Sequence, residues 1–333
     1  MITTQFDSAG NVIPTAFSVD NGKFSRFAFH SGLVNGKGRY WPTKYSHNKA
    51  PLERFIVRKG QKFRYRIIGA QTLYPMRVFI QGQTLSLRTS DCYNLKPIEV
   101  QSIIVHPGER YDFTFSFSSA SKKEYLLIAE TIETRHSHNS YHAAETAIEI
   151  EDFEGARSYI PENDQTEVCT YIVELPKDKV IQLIFTNLGT GSGWSHPVHL
   201  HGHTFFVMKM GFGTYDETNG RLINDTTDIM CTDLNNFCTD LRWTDSSWTG
   251  GNIPDLNNDP SQKNTIVVPT GGYVVVRIVT NNPGMWFLHC HINLHNTNGM
   301  AMVINSGPGS HPETPVSPVQ WKGYEAIASW QTR

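Results

Sequence analysis

The chain has 333 residues, of which 39% are hydrophobic and 18% charged, and its formal net charge is −2. That length accommodates about two domains, each with its own core. The near-neutral balance supplies no broad basic surface for nucleic acid or an anionic membrane, and no apolar run reaches the roughly 20 residues of a membrane helix.

In chain order, the opening segment from Met1 to Phe17 lacks a basic stretch followed by an apolar one, so it does not read as a secretory signal. The sequence therefore reads either as an intracellular protein or as one that starts part-way through a longer chain. Beyond it, short β-branched and aromatic runs punctuated by Gly, Pro, Asn and Asp predict strands over 54–57, 62–68, 76–80, 84–88, 102–105, 111–117 and 125–131. The run Tyr111-Asp112-Phe113-Thr114-Phe115-Ser116-Phe117 alternates, which places its aromatic rings on one face. Residues 149–165 are acidic, contain Pro161 and lack apolar periodicity, and so predict a linker. A second set of strands is predicted over 170–175, 180–187, 198–210, 265–268, 273–279, 286–289 and 300–304. Between two of these, residues 211–260 are rich in Asp, Asn, Thr and Gly and read as a long surface insertion. Regular short strands without a sustained helical period predict an all-β protein of tandem β-sandwiches. The divisions are 1–150 for the first domain, 151–168 for the linker, 169–310 for the second domain and 311–333 for a tail.

Five cysteines are too few for a disulfide scaffold. Cys231 and Cys238 could close a small ring, and Cys92 and Cys169 are candidate partners across domains. Asn224-Asp225-Thr226 is a glycosylation acceptor pattern, which leans toward an extracellular setting.

Seven of the fourteen histidines fall in two short motifs, His196-Pro197-Val198-His199-Leu200-His201-Gly202-His203 and His289-Cys290-His291-Ile292-Asn293-Leu294-His295. Imidazole and thiolate together are ligands for copper or zinc. Side chains alternate faces along a strand, so His289 and His291 point one way and Cys290 the other. His289 and His291 are spaced by roughly 6.6 Å along such a strand, which suits neighbouring metals better than one shared ion. His199 and His201 share a face, and His196 has the opposite parity. Two centres back to back are expected. One uses His196, Cys290 and His295 with Met300 as a cap, the two-imidazole, thiolate and weak thioether set of an electron-transfer copper. The other uses His199, His201, His289 and His291, neutral nitrogens suited to copper that binds oxygen. His203 is expected to be structural, and His136, His138 and His142 to be surface residues.

These motifs resemble the two C-terminal copper motifs of the multicopper oxidases. The flanking Asn281–His291 and Val268–Ile278 stretches are similar to those of laccases, particularly the animal ones. Leu33–Arg39, Lys62–Ile68 and Pro107–Phe113 resemble the middle cupredoxin domain of three-domain laccases. The likeness covers most of residues 30–305. It implies tandem cupredoxin-like Greek-key sandwiches, with the middle and C-terminal domains present and the N-terminal one absent. It assigns His196, Cys290 and His295 to a type 1 copper with Met300 axial, His199 to a type 2 copper, and His201, His289 and His291 to a type 3 pair. Three-domain laccases take four further histidines from the first domain, so type 2 and type 3 copper are expected only if that domain or a partner supplies them. The implied partners are phenolic or aromatic amine reductants and dioxygen, with electrons entering at His196, Cys290 and His295, and the implied location is extracellular. Three alternatives stay open: a one-centre blue-copper protein without oxidase turnover, a ferroxidase-like metal oxidase steered by the acidic residues near 225–245, and a metal-free binding module.

Overall fold

The structure, a computed structural model, describes residues 32–39, 48–116, 125–131, 148–150, 158–159, 172–188, 195–218, 220–231, 241–297 and 300–312. His136, His138, His142, Cys169 and Cys238 lie outside these residues.

The first set of strands comprises β1 (Lys62–Ile68), β2 (Met76–Ile80), β3 (Leu85–Ser90), β4 (Tyr93–Val100), β5 (Ile103–Val105), β6 (Arg110–Ser116) and β7 (Leu127–Thr131). They form one sheet in the order β1-β6-β3-β4 and another in the order β5-β2-β7. The aromatic alternation of β6 works as expected: Phe113 and Phe115 turn inward to meet Val78 and Ile80 of β2, Leu85 of β3 and Val105 of β5. Burial of these apolar faces drives the two sheets together.

Two expectations fail here for physical reasons. Residues 54–57 form no strand, and Phe55 and Ile56 are exposed because no strand among the described residues bonds them. Conversely, β4 is a strand that the sequence hid behind Lys96-Pro97 and Glu99. It is an edge strand bonded only to β3, and the register shifts between Leu87 and Thr89 opposite the proline. An edge with a bulge is where a residue lacking an N–H is tolerated.

The second set comprises β8 (Ile148–Ile150), β9 (Ser158–Tyr159), β10 (Ile172–Leu175), β11 (Val180–Asn187), β12 (His196–Leu200) and β13 (Phe205–Gly211). It continues through β14 (Thr214–Tyr215), β15 (Leu222–Asn224), β16 (Ile229–Met230), β17 (Arg242–Trp243), β18 (Gln262–Lys263), β19 (Thr265–Val268), β20 (Gly272–Val279), β21 (Gly284–Cys290), helix α1 (Asn293–Thr297) and β22 (Ala301–Ser306). A six-stranded sheet runs β19-β12-β21-β22-β10-β9, and a five-stranded sheet runs β18-β13-β20-β11-β8. Leu183, Phe185, Val198, Leu200, Phe205, Val274, Val276 and Leu288 meet between them. The described residues are mostly strand with almost no helix, as an all-β fold of tandem sandwiches requires.

Residues 198–210 are two strands and not one. The chain breaks at His201-Gly202, where Gly202 has φ +69°, and β12 and β13 then join opposite sheets. Ser158–Tyr159, inside the segment read as linker, pairs with β10, and Ile148–Ile150 just before it pairs with β11.

The insertion at 211–260 also does more than loop. Its Ile229, Trp243 and Ile253 cover the outer face of the five-stranded sheet, against Ile184, Tyr273 and Val275. This explains why β20 is apolar without alternation: both of its faces are buried. Cys92 is an exposed free thiol, so the candidate bridge to Cys169 does not form. Cys231 is disulfide-bonded, its partner being outside the described residues.

Candidate metal centre

Strands β12 and β21 carry the two histidine motifs and lie side by side in the six-stranded sheet. Their antiparallel register sets His199 opposite His289 and Val198 opposite Cys290. Backbone amides fix the chain just beyond the strands, with His291 N–H bonded to Pro197 O at 2.7 Å and His201 N–H to Phe287 O at 2.9 Å. Past Cys290 the short helix α1 folds the chain back, and Met300 N–H bonds His295 O while Cys290 N–H bonds Met300 O. That return brings His295 to Cys290.

On one face of the sheet, His196, Cys290 and His295 converge. Cys290 Sγ lies 3.6 Å from Nδ1 of His196 and 3.6 Å from Nδ1 of His295. The two Nδ1 atoms are 3.0 Å apart. A triangle with sides of 3.6, 3.6 and 3.0 Å has a point about 2 Å from every corner, close to metal–imidazole and metal–thiolate bond lengths. Met300 packs in the same small cluster as Cys290 and Ile292, beneath Leu73 and Tyr74 of the first sandwich. His196 and Cys290 are buried, and His196 Nε2 is buried without a hydrogen-bond partner.

Burial pushes the Cys290 thiol up to about 12, opposed by the Ile292 amide. Burial also pulls His295 down to about 4 and, with His295 beside it, holds His196 well below its usual range. The trio therefore offers two neutral imidazoles and a thiol whose proton only a tightly bound cation displaces.

On the other face, His199, His201, His289 and His291 gather. Ring centroids are 4.8 Å apart for His199 and His201, 5.6 Å for His199 and His289, 5.7 Å for His199 and His291, and 5.6 Å for His289 and His291. Nε2 of His201 approaches Nε2 of His289 at 3.3 Å. Among the described residues only the His196, Cys290 and His295 set brings all its donor atoms within 4.8 Å of one another. The four-histidine group is more open, with ring centroids 4.8 to 5.7 Å apart. His201 and His291 sit just past the ends of β12 and β21, so the expected continuous strand carries only half of this group.

Local hydrogen bonds orient these rings. His289 Nδ1–H donates to Cys290 O at 2.9 Å, and His199 Nδ1–H donates to Asn264 O at 2.7 Å. Each leaves Nε2 as the free lone pair. Burial pulls His199 down to about 4, with smaller effects from the Asn264 carbonyl and the other three histidines. His291 is lowered chiefly by burial, and Arg110 adds repulsion.

Two contributions were invisible in sequence because they come from the first sandwich. Gly108, with φ +81°, lies so close to His291 that a Cβ there would stand 2.3 Å from the ring's Cδ2. Thr72 O accepts the Asn293 amide at the start of α1, beneath the Leu73 and Tyr74 contact. His203 behaves as a structural residue: it is buried edge-on against Trp286 at 6.0 Å.

The sequence of a multicopper oxidase profile matches residues 136–310, and a second such profile matches residues 12–150. The chain belongs to the multicopper oxidase family. The family's metal is copper, and the trio has the donors and spacing to hold it. Laccase-25 of Oryza sativa subsp. japonica is 32% identical over 168 residues, covering 50% of this chain and 24% of that protein. Laccase-4 of Arabidopsis thaliana is 35% identical over 149 residues, covering 44% and 21%. The chain thus spans about a quarter or less of the length of the curated relatives it matches. Solved structures bear out the cupredoxin-like fold. Fet3p, a multicopper oxidase that functions in iron import, superposes with a TM-score of 0.57 at 15% identity, covering 82% of this chain and 61% of that one. The laccase from Botrytis aclada gives 0.57 at 17%, covering 90% and 62%.

The copper-free multicopper oxidase should lose stability in mild acid. His199 and His295 are lowered from 6.5 to about 4 in the folded chain, so unfolding takes up protons between those values. Stability present above pH 6.5 is lost as the pH falls toward 4. The urea midpoint of the copper-free protein is expected to drop between pH 7 and pH 5, and a flat midpoint would refute the assignment of neutral rings.

Proposed function

We propose that this chain is part of a laccase-like oxidase, which oxidises phenols or aromatic amines one electron at a time and reduces dioxygen to water. The observation that carries the reading is the back-to-back placement of the two groups on β12 and β21. Cys290 faces His196 and His295, while its neighbours His289 and His291 face His199.

In this reading His196, Cys290 and His295 would hold a type 1 copper, with Met300 packed beside Cys290 as a further sulfur donor. His199 belongs to a type 2 copper, and His201, His289 and His291 to a type 3 pair. Copper held in these places supplies one-electron couples. The chain's own residues supply a path: Cys290 is joined by one peptide bond to each of His289 and His291, and the His289 ring also hydrogen-bonds the Cys290 carbonyl. Four reductants each give one electron and one proton, and dioxygen takes all four of each to leave two waters. Further histidines for the four-histidine group come, on this reading, from another domain or a partner subunit. The chain's division into a middle domain over 1–150, a linker over 151–168 and a copper-binding domain over 169–310 belongs to the same proposal. An extracellular setting is supported by the exposed Asn224 of the glycosylation pattern. No helix among the described residues is long and apolar enough to cross a membrane.

The test is a visible spectrum together with oxygen uptake. Copper-loaded protein supplied with a catechol is expected to be intensely blue and, once joined by the domain or subunit that completes the four-histidine group, to consume oxygen. Blue colour without uptake would reduce the reading to electron transfer alone, and a colourless copper-loaded protein would end it.

A further inference from the structure

A buried charge cluster lies between the two sandwiches, one strand away from the four-histidine group. Lys263, at the end of β18, is 7% exposed. Its Nζ donates to Ser90 Oγ at 2.7 Å and Tyr111 Oη at 3.2 Å, and ion-pairs with Glu109 at 3.1 Å and Asp91 at 3.7 Å. Lys263 belongs to the second sandwich, and all four of these partners belong to the first.

Asp91 spends its lone pairs across the same boundary. Its Oδ2 accepts the backbone amides of Asn264 at 3.1 Å and Thr265 at 2.9 Å, and its Oδ1 accepts that of Arg110 at 3.0 Å. Arg110 completes the clamp by donating from Nη1 to Asn264 Oδ1 at 2.9 Å and Gly108 O at 2.7 Å. Glu109 accepts from Tyr111 Oη and the His106 amide. Two cations thus face two carboxylates, and every charge has a partner.

Such a cluster is a poor way to gain stability, since desolvating the charges offsets much of their attraction, and apolar packing of the same volume does as well. It does fix geometry, because each hydrogen bond is directional and a misplaced charge is left uncompensated. What it fixes is residues 263–265, and these hold His199. Asn264 O accepts the His199 Nδ1–H, and Thr265 Oγ1 lies 3.1 Å from the same nitrogen. The Thr265 hydroxyl also donates to Gly108 O at 3.2 Å, tying the strand to the glycine that abuts His291.

We propose that Asp91 and Lys263 are positioning residues, a latch between sandwiches that holds the Asn264 carbonyl in place and thereby locks His199 as its Nδ1–H tautomer with Nε2 free for copper. The proposal rests on the reading of His199 as a ligand. Closure of the two sandwiches and the orientation of that ligand are then one event. The first sandwich, none of whose described residues is a proposed ligand, sets the geometry of a ligand in the second.

The experiment uses the chain labelled with ¹⁵N-histidine and free of copper, in which long-range proton–nitrogen correlations report the tautomer of each ring. Wild type is expected to show His199 protonated at Nδ1 alone. Lys263→Met and Asp91→Asn are expected to release at least about a tenth of His199 to the Nε2–H form, and Lys263→Arg to restore the wild-type pattern. Copper affinity of the four-histidine group should fall about 10- to 100-fold in the two disruptive variants, as is usual when a ligand's own hydrogen-bond partner is disturbed. The blue colour, which depends on the opposite face of the sheet, should persist and certifies that each variant is folded. Asp91→Asn keeps the shape and one acceptor oxygen, so it carries the test if Lys263→Met does not fold. Wild-type tautomer and affinity in a blue Asp91→Asn protein would overturn the latch. A wild-type protein that never turns blue would instead overturn the copper reading beneath it.

Discussion

Cys290→Ser is expected to abolish the blue colour of the copper-loaded protein and reduce oxidase turnover to background, while leaving the fold intact. The colour requires a thiolate bonded to copper, and Cys290 is the sulfur at the junction of His196 and His295, 3.6 Å from each Nδ1. Serine has nearly the same shape and fits the same buried position opposite Val198. Its hydroxyl holds its proton far more tightly than a thiol, so it cannot supply an equivalent anion to copper. The two imidazoles can still retain a metal, and copper content alone is therefore a weak readout. Visible absorption, oxygen uptake and circular dichroism on the same sample decide the matter. A variant that stays blue, or that turns over normally, would show that Cys290 is not the thiolate ligand and would dismantle the type 1 assignment.

The variant is informative because so much of this face was legible from residue order. The parity of a strand separates Cys290 from His289 and His291, and the structure places the sulfur and the two rings on opposite sides as that parity demands. His295 was legible as the second imidazole of a thiolate set, whereas the short helix that returns the chain to Cys290 was not. The alternation of β6 and the separation of the strands over 265–268 and 273–279 were legible from composition and punctuation.

What escaped the sequence was whatever depends on a partner far along the chain. Residues 54–57 have a strand's composition but no neighbour to bond among the described residues, whereas β4 has a poor composition and a neighbour that accepts it. The run from Val198 to Met210 reads as one strand in sequence, yet Gly202 turns it at the point where β12 must leave one sheet and β13 enter the other. His201 and His291 were placed on the right faces, but they lie past the strand ends and are held there by Phe287 and Pro197 carbonyls. Asp91, Gly108 and Lys263 carry no ligand signature at all. Their roles arise only where the two sandwiches touch.

Gly108→Ala is expected to damage the four-histidine group while sparing the type 1 colour. The backbone at Gly108 has φ +81°, a conformation that costs an L-residue about 1–2 kcal/mol. Strain is the smaller effect. A methyl group there would stand 2.3 Å from His291 Cδ2 and 2.8 Å from its Nε2, well inside contact distance. Either the ring or the Pro107-Gly108 turn must move by roughly 1 Å. The turn is poorly free to yield: Gly108 O accepts from both Arg110 and Thr265, and Gly108 N–H donates to Gly69 O at 2.9 Å. The His291 ring therefore gives way, and it is one of the rings proposed to ligate. A displacement of that size commonly costs about 100-fold in rate, and a comparable loss of oxygen uptake is expected with the blue absorption unchanged. Reduction of the type 1 centre by a catechol in the absence of oxygen should proceed at the wild-type rate. The defect is then confined to the later transfer of electrons to dioxygen. Normal oxygen uptake in Gly108→Ala would mean that His291 is not where turnover is limited, and loss of the blue colour would mean that the clash reaches through the sheet to Cys290.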